Sequence, residues 1–284
     1  FDTEGYNTIR TPSKVDTATK EVVIPREDII FEVYADSKSP KTKTDFGETP
    51  MYTKSGTLFC GKNTKVELPS EDALSGVEQK YYSINGEPFK TYQSALSFEK
   101  EIQYTLKYYA VDNVGNPEKV EKKEFTVDIT APASLLEFDG DKYENIFSGR
   151  SNIKIKAEDK GAGVEKTRYQ LDDEDEKKYV YPLYTSRMYE GEHKLKYHST
   201  DNVENQEATK TYDFFVDKTA PIVIEEIIGD QFLVDGKVFY SGRTKLKLTA
   251  VDNKAGVKSI YYSIDGGKDS LYKKPFYLPD KSKA

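Results

Sequence analysis

Apolar and polar residues alternate with a period of two along most of the chain. Ile153-Lys-Ile155-Lys-Ala157 and Leu246-Lys-Leu248-Thr-Ala250 are the clearest stretches. Such runs predict strands with one face on a core and lysines in water. Tyr104, Leu106, Tyr108 and Ala110 fall on one face of a longer strand, and His193, Leu195, Tyr197 and Ser199 repeat that pattern. Tyr82 with Ile84 and Tyr262 with Ile264 are shorter inward pairs. Asn85-Gly86 and Asp265-Gly266 follow these pairs and predict tight hairpin turns, because both residue types accept a positive φ. No stretch shows a capped amphipathic helix, although residues 69–74 have room for one helical turn. Towards the N-terminus, Val22-Val-Ile24 and Ile29-Ile-Phe-Glu-Val33 read as strands, and the polar residues 5–19 are expected to lack regular structure.

The pattern recurs on a longer scale. Val127-Asp-Ile-Thr-Ala-Pro132 returns as Val216-Asp-Lys-Thr-Ala-Pro221, and Ala110-Val-Asp-Asn113 as Ser199-Thr-Asp-Asn202, each 89 residues on. A weaker early version is Tyr34-Ala-Asp-Ser-Lys-Ser-Pro40. Gly76-Val77, Gly163-Val164 and Gly256-Val257 form another series, as do Phe59-Cys-Gly61, Phe147-Ser-Gly149 and Tyr240-Ser-Gly242. The marks keep one order, which places repeats at 39–131, 132–220 and 221–284, the last incomplete, behind a strand-containing segment 1–38. A period near 90 exceeds that of solenoid units and suits a self-contained sandwich domain. The expected fold is therefore all-β, with tandem immunoglobulin-like (fibronectin III-like) antiparallel β-sandwiches. The start at Phe1 and the broken last repeat suggest a trimmed product or fragment.

Tyr-Ser-Ile-Asn-Gly, Tyr-Ala-Val-Asp-Asn-Val-Gly-Asn and Val-Asp-Ile-Thr-Ala-Pro, in that order, resemble the bacterial Ig-like repeats of secreted surface proteins. The likeness is greatest to the OmpL-type repeat family of Leptospira and runs in register over residues 39–284. It implies an extracellular protein on the bacterial surface, peripherally associated with the outer membrane. It further implies a binding role towards host extracellular-matrix or plasma proteins, such as fibronectin. This sequence departs from the pattern where Glu204 replaces the turn residue Gly115, and where Asp172-Asp-Glu-Asp-Glu176 replaces the Asn-Gly hairpin.

Composition narrows the chemistry. The net charge is −7 with scattered lysines, which argues against nucleic acid as a partner. Apolar runs are far shorter than the roughly 20 residues of a membrane helix, and the lysine-studded strands carry no outward apolar band of a membrane barrel. Cys60 is the single cysteine, so neither an internal disulfide nor a thiolate metal site can form. Serines stand at the two matching sequence positions, which reads Cys60 as a small packing residue. His193 and His198 are five apart and face opposite sides of one strand, which excludes a shared metal or dyad. No nucleophile triad, phosphate loop or zinc-protease motif is present, so no catalytic, cofactor-binding or metal residue is assigned and no enzyme is expected.

Three features compete with plain structural readings. Asp112, Asn113, Asn116 and Glu118, matched by Asp201, Asn202, Asn205 and Glu207, form an oxygen-rich turn that suits either Ca²⁺ or ordinary Asx-turn chemistry. The acidic run 172–176 is either a solvated loop or a site for a basic partner. The chain has 22 tyrosines; Tyr81, Tyr109 and Tyr261 alternate away from the core face, for adhesion or for cross-strand packing. The functional expectation is a surface adhesin. The alternative is a spacer, or a carbohydrate-binding accessory array, in a larger secreted protein.

Overall fold

The computed structural model describes residues 4–9, 14–23 and 31–277. It is all-β and built from antiparallel sheets of Ig-like, fibronectin III-like sandwiches. Among the described residues there is no α-helix, and one 3-10 turn spans Thr185–Arg187. The chain divides into two compact units: residues 1–133 with 158–165 and 199–207, and residues 134–157, 166–198 and 208–284.

The first unit contains a six-stranded sheet in the order Lys90–Thr91, Val77–Ile84, Gln103–Asp112, Glu121–Val127, Thr57–Cys60 and Met51–Lys54. Its neighbours are antiparallel except Glu121–Val127 against Thr57–Cys60, which is parallel. Smaller pairs face it: Thr64–Val66 with Leu96–Phe98, and Lys41–Thr42 with Ser70–Glu71. Tyr104, Leu106, Tyr108 and Ala110 are all buried, as the alternation predicts. The core centres on Phe125, with Phe98 edge-on at 5.0 Å and Phe46 edge-on at 5.3 Å. Residues 69–74 make no helical turn; Ser70–Glu71 is a strand, and the Ser70 and Thr42 hydroxyls meet at 2.8 Å.

The second six-stranded sheet repeats the plan: Lys142–Tyr143, Ile146–Ser148, Lys210–Asp217, Gly191–Asp201, Val164–Leu171 and Lys177–Lys178. Again one pair is parallel, Ile146–Ser148 with Lys210–Asp217. Ala133–Asp139, Asn152–Glu158 and Leu183–Tyr184 form the accompanying sheet. Register shows the pairing Leu96↔Val66 equivalent to Leu183↔Ile153. Thr185 therefore stands where Phe98 stands, and its hydroxyl lies 2.6 Å from the Ser148 carbonyl oxygen and 2.8 Å from that of Ser151, with its one proton for either. Met188, one turn later, packs into the core beside Phe147 and Phe214.

The parallel pairs also correct one sequence equivalence. Cys60 lies opposite Val127, and Phe147 lies opposite Val216. Cys60 thus corresponds to Phe147 and Tyr240, not to the serines that follow them; a slip of one residue exchanges the faces of a strand. The packing role holds, because Cys60 is fully buried and burial pushes its thiol up to about 12.

Residues 222–277 form three small sheets: Ile222–Ile228, Lys245–Val251 and Phe276–Tyr277; Gln231–Val234 with Lys237–Tyr240; and Tyr261–Tyr262 with Ser270–Leu271. The polar segment expected to lack structure instead contains Gly5–Ile9, paired antiparallel with Phe31–Ala35. Val22–Val23 pairs with Lys14–Val15. Ile24, Ile29 and Ile30 of the strands read from sequence lie outside the described residues, as does the end of the third repeat at 278–284.

Candidate functional site

The oxygen-rich turns are built alike in both repeats. Asp112 Oδ1 accepts the Val114 and Asn116 amides at 3.0 and 2.7 Å, and Asn116 Nδ2 donates to Asp112 Oδ2 at 2.7 Å. Asp201 takes the same bonds from Val203 and Asn205. The Asn116 amide also donates to the Asp36 carbonyl, and that of Asn205 to the Asp128 carbonyl. Asn113 is spent on the Ser75 carbonyl, and Glu118 accepts the Thr42 and Ala110 amides. Asn202 donates to the Ala162 and Gly163 carbonyls, and Glu207 accepts from Ser199. Of the four residues grouped by sequence, only the aspartate of each turn joins a cluster of carboxylates.

Those clusters bring in residues that the turn motif did not name. Asp36, Asp72 and Asp112 have carboxylate oxygens within 4.8 Å of one another, as do Asp128, Asp159 and Asp201. Both lie inside the first unit. Three carboxylates offer a hard cation part of the 6–8 oxygens that Ca²⁺ takes. Here their oxygens also receive amide hydrogens. Ser75 N donates to Asp36, and Ala162 N to Asp128 at 2.6 Å, while Gly163 N donates to Asp159 at 2.5 Å. Electrostatics separates the two clusters. Burial raises the pKa of Asp128, the Ala162 and Thr130 amides oppose it, and Asp159 and Asp201 add repulsion. For Asp112, burial is again the largest influence and pushes upward, but the Asn116 and Val114 hydrogen bonds together outweigh it and hold the pKa down. Asp36 is lowered first by its Ser75 hydrogen bond. The signal for these partners was in the repeats: each cluster draws one aspartate from the Val-Asp or Ala-Asp mark and one from the loop before Gly-Val.

The acidic run has a structural beginning. Asp172 has φ 54°, like Asn85 at 50°, and accepts the Lys194 amide as Asn85 accepts that of Thr105. Its other oxygen meets His193 Nδ1 at 2.8 Å. His193 Nε2 meets the Tyr189 carbonyl at 3.0 Å, and the ring stacks on Phe214 in the core. His198 points to Glu176, 3.5 Å away, so the two imidazoles are held apart. Glu174 and Glu176 pair with Lys177 and Arg168 on the surface.

Beside this loop, within the second unit, lies an open cleft of about 820 Å³. Leu183, Met188 and His193 form buried lining, and Val180, Tyr181 and Tyr189 stand in solvent, Tyr181 at 74% and Tyr189 at 61% exposure. Lys177, Arg187, Asp172 and Glu174 ring it with both charges. The 3-10 turn and the two residues that the second repeat gains between Tyr179 and Leu195 help shape its wall. The tyrosines named from sequence do something else: Tyr81 and Tyr109 stack across strands at 5.0 Å, with Phe89 edge-on to Tyr109, while Tyr261 is exposed.

The fold is that of Ig-like, fibronectin III-like β-sandwiches, and an open cleft lies on the surface of the second unit. No protein-family profile matches the chain, and no curated protein matches it. Among solved structures it is similar to the fibronectin(III)-like modules of Clostridium thermocellum CbhA, at 15% identity and TM-score 0.33 over 56% of this chain and 88% of that one. It is also similar to a 1.5-MDa bacterial ice-binding adhesin, at 10% identity and TM-score 0.36 over 82% of this chain and 94% of that one.

Proposed function

We propose that the chain is a binding array displayed on a bacterial surface, engaging host extracellular-matrix or plasma proteins, fibronectin among them. The reading takes the repeats as 39–131, 132–220 and 221 onward, and the protein as extracellular and peripherally held at an outer membrane. The observation that carries it is the cleft of the second repeat. Tyr181 and Tyr189 offer large, rigid, amphipathic contact area, the chemistry that dominates protein-recognition surfaces. Mixed charge around the rings suits a polypeptide partner. The cleft sits where the repeats differ, whereas the positions they share are turns and core.

Binding rather than catalysis also fits the reactive side chains. Both nitrogens of His193 are engaged, and the Cys60 thiol is buried and held in its neutral form. No helix among the described residues is long and apolar enough to cross a membrane.

The test is surface plasmon resonance of the chain over immobilised fibronectin, laminin, fibrinogen and plasminogen. Saturable binding to at least one, weakened about tenfold or more by Tyr181→Ala with Tyr189→Ala, supports the reading; such rings carry about 1–2 kcal/mol each when buried at an interface. Absence of saturable binding to all four removes the adhesin and leaves the spacer.

A further inference from the structure

The turn after Val77–Ile84 contains the only asparagine in the sequence that is followed by glycine, Asn85-Gly86. Its main chain takes positive φ at both residues, 50° and 83°. Asn85 N donates to the Thr105 carbonyl at 2.9 Å, and Thr105 N donates to Asn85 Oδ1 at 2.8 Å. An N–H donor can be met only by the oxygen of a side-chain amide, so this bond fixes which way the amide faces. Glu87 N closes the turn on the Ile84 carbonyl at 3.0 Å. Among the described residues, neither Gly86 N nor Asn85 Nδ2 has a hydrogen-bond partner. Residues 85–90 are all exposed, and a Cβ added at Gly86 would meet nothing within 4 Å.

These are the parts that an asparagine needs to close on its own main chain. The nucleophile is the Gly86 nitrogen, whose unpaired, exposed N–H is accessible to hydroxide. The electrophile is Asn85 Cγ. As Cγ becomes tetrahedral, negative charge grows on Oδ1, where the Thr105 amide already stands as a donor. The leaving group is Nδ2, free in solvent. Lys90 Nζ lies 2.7 Å from the Glu87 carboxylate and offsets its repulsion of a deprotonated Gly86 nitrogen. The other two repeats carry the product in the same place. Asp172 and Asp265 hold this position at φ 54° and 51°, and Asp172 accepts the Lys194 amide at 2.8 Å as Asn85 accepts that of Thr105.

We propose that Asn85 is a site of self-modification, at which Gly86 N closes on Asn85 Cγ and the amide is converted to aspartate or isoaspartate. The Gly86 proton goes to hydroxide, the N–Cγ bond forms, and the Cγ–Nδ2 bond breaks with release of ammonia. Water then opens the cyclic imide. Opening at the former side-chain carbonyl gives aspartate; opening at the main-chain carbonyl gives isoaspartate. The sum is one water consumed and one ammonia released, with no oxidant or reductant. Aspartate gives the first repeat the charge that the other two already hold at this turn. Isoaspartate routes the main chain through the former side chain and lengthens the turn by one carbon. That breaks the closure of Glu87 N on Ile84 and loosens the pairing of Tyr81 and Tyr82 with Thr91 and Lys90. The second repeat cannot follow, since Asp172 has no side-chain amide to lose. The modification does not depend on the adhesin reading.

Peptide mass mapping of the full chain, kept folded at mildly alkaline pH and in parallel unfolded in urea, tests this, with isoaspartate labelled by an isoaspartyl methyltransferase. In the folded chain, residue 85 is expected to change from amide to acid before any other asparagine. Both products are expected, at a rate that rises with pH. Asn85→Gln is expected to keep its amide over the same period, because its imide ring is one atom larger and closes far more slowly. Where that variant misfolds, the two wild-type arms decide alone. A residue 85 that converts in urea and stays an amide in the folded chain overturns the inference, as does conversion led by another asparagine.

Discussion

Replacing Asn205 by alanine isolates the lock that joins the second turn to its carboxylate cluster. The Asn205 amide donates to the Asp128 carbonyl at 2.9 Å and to Asp201 Oδ2 at 2.8 Å, and Asn205 is only 4% exposed. Alanine leaves both acceptors without these donors, one neutral and one charged. A neutral buried group so stranded costs about 1–1.5 kcal/mol and a charged one about 1.5–3 kcal/mol, giving about 2.5–4.5 kcal/mol together. Asn116→Ala removes the same two bonds, to the Asp36 carbonyl and Asp112 Oδ2. That site is half-buried, so water takes over part of the donation and the cost falls to about 1–2 kcal/mol. Native-state hydrogen exchange is the suitable assay, since a chain of several units has no single unfolding free energy. At about 1.4 kcal/mol per tenfold, Asn205→Ala should lower protection of residues 199–207 by about two to three powers of ten, and Asn116→Ala should lower that of residues 110–118 by about one. Equal effects in the two turns, or a loss below fivefold in both, would refute the argument that burial of the acceptors sets the cost.

Three further outcomes follow from the same loops. Glu204 holds φ 68° where the first repeat has Gly115 at 90°, so Glu204→Gly should raise the thermal midpoint, by about 0.5–1 kcal/mol of stability. At Gly161 an added Cβ would stand 2.0 Å from Asp128 Oδ2, so Gly161→Ala should cost about 1–3 kcal/mol by calorimetry. Gly242→Ala, with nothing within 4 Å, serves as its control. The raised pKa of Asp128 means that the folded state holds its proton more tightly than the unfolded state. Wild-type stability relative to Asp128→Asn should therefore grow as pH falls from neutral towards the carboxylate range, read as a difference of melting temperatures; a difference independent of pH contradicts that shift.

The strands and turns were legible because they depend on neighbours in sequence. Alternation placed Tyr104, Leu106, Tyr108 and Ala110 inward, and Asn85-Gly86 and Asp265-Gly266 do take positive φ at both residues. The clusters were not legible from the turn alone, because Asp36 and Asp72 come from segments 76 and 40 residues before Asp112. Their regular recurrence was the signal available. Matching aromatic-x-Gly by letters put Cys60 one residue out of register, since side-chain identity says less than which residue a strand faces. The acidic run looked like one feature, yet Asp172 is a turn residue that holds His193, and beyond it Glu174 and Glu176 pair with Lys177 and Arg168. The cleft depends on where a 3-10 turn and its inserted residues come to lie, and no local periodicity encodes that.

The central claim is that this array binds a macromolecule through the cleft of its second repeat. Hydrogen–deuterium exchange of the chain, alone and saturated with whichever matrix or plasma protein it binds, tests that claim most directly. The account predicts slowed exchange concentrated in residues 172–193, with the Tyr81–Tyr109 strand pair unchanged. Protection confined to other segments, or unchanged exchange throughout at saturation, would contradict it.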